Sequence, residues 1–239
     1  IASRRQSLGS MLFFDELLQI AGLGSEHEPL SNHLYPPTDA VSFKRLLMAI
    51  EGCEWDEMKR DCLIYYILKH WGDGREKDFA GRRHIPPQFV SLSSAYFYLD
   101  SGNEDIPTAV ALLCDIRVKP DFMSKILRTI SLASPELVLQ FVSVGKPVLT
   151  NHDDLDVYMG ALCQSSRIMD AWLYQRKFPE DPEEGCIRKR FIDMILDHCL
   201  IRAFALCRCL RSWADCYHAC SQTSPLTTQA PPRIPVFSI

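Results

Sequence analysis

The residues best equipped for chemistry crowd into one stretch near the C-terminus, "HCLIRAFALCRCLRSWADCYHAC", which holds His198, Cys199, Cys207, Cys209, Cys216, His218 and Cys220. Imidazoles and thiolates together are the ligand set of a zinc site, but zinc knuckles space their thiolates as CxxC so that two of them clasp one ion. Here the spacings are CxC and CxxxC. On a helix Cys216 and Cys220 share a face, whereas Cys207 and Cys209 point apart. A zinc or cysteine site is therefore a rival reading for this segment, and the leading one treats the thiols as small apolar fillers of a helix face. A nucleophile needs a base beside it. The adjacent His198 and Cys199 supply the residue types without any local setting of that kind.

Other chemistries find less support. Eleven glycines are present, and neither a P-loop nor a GxGxxG follows a strand. The segment "HWGDGREKDFAGRRH" carries two close glycines but reads as a solvated loop between helices. The net charge of −4 opposes the broad cationic surface that nucleic acid or an anionic membrane requires. The basic groups "GRRH" and "IRKR" are short, and the second follows the acidic "PEDPEE". No apolar run reaches the length that spans a bilayer, since Asp197, His198, Arg202 and Arg208 interrupt the greasiest one. Asp15 and Glu16 likewise break any signal-peptide core, so the ten cysteines read as reduced thiols of cytosol or nucleus. The opening Ile1 is compatible with processing, truncation or an incomplete gene model. No catalytic residue, metal or cofactor is expected.

The elements behind these residues are helices. Pro36 and Pro37 fix a turn, Thr38 or Asp39 caps the helix that follows, and Phe43, Leu46, Leu47 and Ile50 form its apolar stripe before Gly52 ends it. Ser134-Pro135 and Asp181-Pro182 are helix starts, and Gly145 with Pro147 is a stop. Helices are expected over 8–23, 39–52, 54–71, 87–101, 104–114, 120–133, 135–144, 153–165, 167–178 and 182–206, with no convincing strand. Very short turns at Ser101–Asp105, Ser134–Pro135 and Ser165–Arg167 recur about every thirty residues and force antiparallel neighbours. The expected fold class is all-α, an irregular α-solenoid of stacked antiparallel helix pairs. Its expected parts are a disordered start at 1–7, a helical domain at 8–206, a Cys-rich helical extension at 207–220 and a disordered Ser/Thr/Pro tail at 221–239.

What is left for function is surface. Tyr35, Tyr65, Tyr66, Trp71, Tyr96, Phe97, Tyr98 and Trp172 are more aromatics than one small core needs, and those that reach the surface are natural interface anchors. The nominated partner-binding residues are Tyr35, Pro36 and Pro37 of the turn, with Trp71, Arg75, Arg82 and Arg83 in and beside the loop from Gly72 to His84.

The order of these motifs resembles the ELYS-like family, the helical domain of a nuclear pore complex assembly factor. "MLFFDELLQIAG" is similar to the family's opening helix, and Leu34-Tyr35-Pro36-Pro37 to its "LYPP" turn. Leu46-Leu47 with Ala49-Ile50-Glu51, then "IYYILKHW", follow in the family's order. "AYFYLDSGNEDIPTAVALL" resembles a signature in which Leu99-Asp100 and Gly102 are in place, although aromatic residues other than tryptophan precede them. "KPDFMSKILRTI" and "SPELVLQFV" resemble the next pair. The likeness covers about residues 8 to 200 and fades at "CRCLRSWADCYHACSQ".

The resemblance implies a non-enzymatic structural protein. It would bind the outer-ring, Y-shaped nucleoporin subcomplex, support nuclear pore complex assembly, and reside in the nucleus at the pores of the nuclear envelope. Compact fungal-type members, which are mainly this domain, are the closer comparison. Animal members add a β-propeller and a basic DNA-binding tail, and neither is expected here, so no direct nucleic-acid partner, membrane insertion or small-molecule substrate is implied. A helical-repeat adaptor of another, membrane-coat-like assembly would share the same fold.

Overall fold

A computed structural model describes residues 1–23, 34–179 and 187–202, and among them every regular element is helical. In chain order these are α1 (Ala2–Ser7), α2 (Phe13–Ile20), α3 (Ala40–Gly52), α4 (Glu57–Leu68) running into a 3₁₀ turn at Lys69–Trp71, α5 (Arg75–Arg82) and α6 (Pro87–Ser101). A second 3₁₀ turn, Asn103–Asp105, leads into α7 (Ile106–Leu113), followed by α8 (Met123–Ala133), α9 (Pro135–Gly145), α10 (His152–Gln164), α11 (Ile168–Gln175) and α12 (187–202).

Local chemistry sets the helix starts. The Asp39 carboxylate accepts the Ser42 amide at 2.7 Å, while Ser42 Oγ accepts the Asp39 amide at 3.0 Å, so two orphan donors are satisfied reciprocally. Asp56 receives the Lys59 amide, Ser134 the Glu136 amide and Asn151 the Asp153 amide in the same manner. Proline stands in the first turn of α6, α7 and α9, where its missing amide costs nothing.

Two of the sequence expectations fail here. The start at 1–7 is a helix, because its arginines are tied to the body: Arg4 donates to the Leu99 carbonyl at 2.6 Å and to Asn103 at 2.7 Å. The stretch from Gly72 to His84 is not a loop but contains α5, which buries Ala80 against Tyr65 and Ile85. Gly72 and Gly74, both at positive φ, turn the chain sharply enough to fit that extra helix between α4 and α6. The expected extension at 207–220, the tail at 221–239 and the Asp181-Pro182 start lie outside the described residues.

The core runs through the whole described body. α6 packs on α2, α4 and α7; α8 packs on α7, α9 and α10; α9 also reaches α7, and α11 lies on α10. Phe14, Leu46, Leu63, Leu99, Ile106, Ile126, Val138, Met159 and Phe191 are among the residues it encloses. α12 follows α10, with Arg190 paired to Asp156 and Arg202 to Ser166.

Candidate partner-binding surface

The surface is organised around a buried carboxylate. Asp100, at the C-terminal end of α6, accepts the Phe13 amide at 2.8 Å and the Phe14 amide at 3.0 Å, the first two amides of α2. The Tyr66 hydroxyl donates to it at 2.9 Å. Asp100 thus caps one helix from another, bridging residues far apart in sequence. Burial pushes its carboxyl up to about 6, against the hydrogen bonds from Phe13, Phe14 and Tyr66 that favour the charge. Tyr66 is raised well above the ordinary tyrosine range by its own burial and then by the Asp100 charge.

A second strut lies in the first turn of the same helix, α2. Arg5 grips Asp15 with Nε at 2.7 Å and Nη2 at 2.6 Å, and the same Nη2 donates to the Tyr35 carbonyl at 2.6 Å. Asp15 also accepts the Leu12 amide at 2.8 Å. The hydrogen bond to Asp15 raises Arg5 above its usual value. α1 therefore fixes the turn that holds Tyr35, whose peptide bond to Pro36 is cis.

Tyr35 itself is 3% exposed and braces the groove from within. Its ring lies 4.6 Å from Phe14, which stacks on Tyr66 at 4.3 Å, and its hydroxyl meets His70 Nε2 at 2.5 Å. Burial lowers the His70 pKa. Around this stack opens a groove of about 400 Å³ lined by Tyr35, Pro36, Pro37, Asp39, Phe43, Ile67, His70 and Trp71, among others. Trp71 is 46% exposed, meets Phe43 edge-on at 5.8 Å and carries the Arg75 guanidinium over its face at 5.1 Å. Arg75 in turn pairs with Asp73 at 2.6 Å.

The fold thus gathers Pro36, Pro37 and Trp71 onto one groove, with Arg75 at its edge. Arg82 and Arg83 do not line it. They sit at the far end of α5, where Arg83 pairs with Glu57 at 3.0 Å and Asp61 at 3.4 Å, and Arg82 reaches the Asp78 carbonyl. Tyr65, Tyr66 and Tyr96 are buried, leaving Trp71 and Trp172 as the exposed members of the aromatic set.

Sequence reasoning missed a second apolar groove of about 420 Å³ between α2, α4 and α6, lined by Leu17, Ile20, Trp55, Cys62, Leu92 and Phe122 with others. The signal was present in Leu17 and Ile20, which fall on the solvent side of the stripe that buries Phe14 and Leu18. Burial pushes the Cys62 thiol up to about 11, so it behaves as an apolar wall. Among the described residues no three His, Cys, Asp or Glu side chains converge as a metal site. Cys199 of the sequence cluster is exposed, and Cys207 to Cys220 lie outside the described residues.

Among the described residues, these features define an all-helical body whose buried charges brace helices and whose two grooves are lined mainly by aromatic and apolar side chains. The chain belongs to the ELYS family, described as nuclear pore complex assembly, which it matches over residues 11–212. It is also 32% identical over 176 residues to the uncharacterized protein ely5 of Schizosaccharomyces pombe, covering 73% of this chain and 56% of that protein. The chain thus spans about half the length of this relative. The family match ends at 212, beyond the boundary at 206 expected for the helical domain.

Proposed function

We propose that this chain is a non-enzymatic scaffold of nuclear pore complex assembly. It binds the outer-ring, Y-shaped nucleoporin subcomplex at the nuclear envelope, and the groove between Pro36 and Trp71 is the contact. The observation that carries this reading is membership of a family described by nuclear pore complex assembly. The groove supports it physically: an exposed tryptophan beside prolines, flanked by an arginine, has the composition of interface anchors. The helix stack, read as an irregular solenoid of antiparallel pairs, holds that groove still. The packing of α7 on α9 and of α8 on α10 supports the stacked arrangement.

A pull-down from nuclear-envelope extract tests the proposal. The wild-type chain is expected to retain outer-ring nucleoporins and a Trp71→Ala chain to lose them. Recovery of no nucleoporin at low salt contradicts the reading, and equal recovery by both chains removes the groove from it.

A further inference from the structure

Residues Arg4-Arg5-Gln6-Ser7-Leu8 place two guanidinium groups three and two positions before a serine and an apolar residue directly after it. A kinase with an acidic substrate cleft reads that charge pattern. In the fold Ser7 is the exposed last residue of α1, and its hydroxyl donates to the Arg4 carbonyl at 2.8 Å. Both arginines are occupied elsewhere, Arg4 at the Leu99 carbonyl and Asn103, and Arg5 at Asp15 and the Tyr35 carbonyl. The motif is therefore masked while its serine is not. Beside the hydroxyl lies a cavity of about 550 Å³ whose lining includes Ser7, Glu16, Lys125 and Arg128. Lys125 pairs with Glu16 at 2.8 Å and Arg128 with Asp153 at 2.6 Å, so both cations are already held near the site.

We propose that Ser7 is a phosphorylation site for an arginine-directed kinase, that release of α1 from the body gates it, and that Lys125 and Arg128 receive the phosphate when α1 returns. The co-substrate is a nucleoside triphosphate. Ser7 Oγ bonds to the γ-phosphorus as the bond from that phosphorus to the β–γ bridging oxygen breaks. The nucleoside diphosphate departs with the electron pair, and the hydroxyl proton passes to the kinase's base. A kinase cleft takes its substrate extended, so both arginines must leave their partners first. A six-residue helix has no stability of its own, and those arginine partners together with the packing of Leu8 on the core hold it. The added charge of about −1.5 to −2 then faces two cations and one carboxylate in the cavity lining. Ser131 lines the same cavity with Arg128 three residues before it, but it lies within α8 with its hydroxyl on the Arg128 carbonyl, where no extended segment can form.

The test uses the full chain, ATP and the catalytic subunit of the cAMP-dependent protein kinase, with sites mapped by mass spectrometry. Initial rates are compared with a peptide of residues 1–12 and with Asn103→Ala and Asp15→Asn chains. The expected result is one phosphate on Ser7, at a rate at least about tenfold below the peptide's, because only the opened fraction is a substrate. Both substitutions are expected to raise that rate. Asn103 is exposed, so its variant keeps the comparison open if Asp15→Asn does not fold. Phosphorus NMR is expected to show the phosphate of the chain titrating below that of the peptide, and a Lys125→Gln, Arg128→Gln chain to abolish the difference. No phosphate on the chain, phosphate on another residue, equal rates for peptide and chain, or identical titrations would each overturn the proposal.

Discussion

Asp100 lies where three donors meet, and its chemistry yields two predictions. An asparagine there keeps one acceptor oxygen and sets an NH₂ group against a donor, so Asp100→Asn is expected to lower stability by about 1 to 3 kcal/mol, read by urea unfolding. The pH dependence has a defined sign. Burial raises the folded pKa to about 6 from an unfolded value of 3.8, so the carboxyl's contribution is complete below the unfolded value and is lost as pH rises through about 6. The wild-type advantage over Asp100→Asn should therefore shrink as pH rises from ~4 to ~7. An advantage that grows with pH contradicts the assignment. At the second strut, Asp15→Ala leaves the Arg5 guanidinium without its bidentate partner in a site where the Asp15 side chain is fully buried. Loss of about 3 to 5 kcal/mol is expected in the same assay.

At the level of elements, the caps and stripes were legible in the sequence and the long-range struts were not. Asp39 and Ser134 start their helices as their side chains dictate, and an Asp39→Ala chain is expected to unfold at a lower temperature, measured by thermal unfolding. α5 was illegible because Gly72, Gly74 and five charged residues within eight positions resemble a solvated loop, and the burial of Glu76 and Ala80, with Phe79 packed beside them, is a tertiary contact that local spacing does not report. The helix of the first seven residues was hidden for a related reason, since its partners Leu99 and Asn103 lie more than ninety residues away. The Leu99-Asp100 motif was quotable as a likeness, but its cause was not: the carboxylate it delivers caps α2. Half of the candidate groove could be read from the Tyr35–Pro37 turn and Trp71. Their meeting depends on the Tyr35–His70 and Arg5–Tyr35 hydrogen bonds, which no spacing rule reports. Arg82 and Arg83 looked equivalent to Arg75 in sequence and differ only by where α5 turns them.

Across the described residues, every helix from α2 to α12 except α5 contributes to one continuous core, and α5 buries Ala80 in a small cluster beside it with Tyr65 and Ile85. The chain belongs to a family described by nuclear pore complex assembly, and the proposed scaffold role would act through the outside of this body. Because Trp71 is half exposed, replacing it should leave the fold intact while removing an anchor. Calorimetric titration of the purified chain into purified outer-ring nucleoporin subcomplex measures the proposed contact itself. Saturable binding is expected, weakened at least about tenfold by Trp71→Ala with an unchanged melting temperature. Absence of binding by the wild-type chain, or equal affinity for both chains, would contradict the proposed contact.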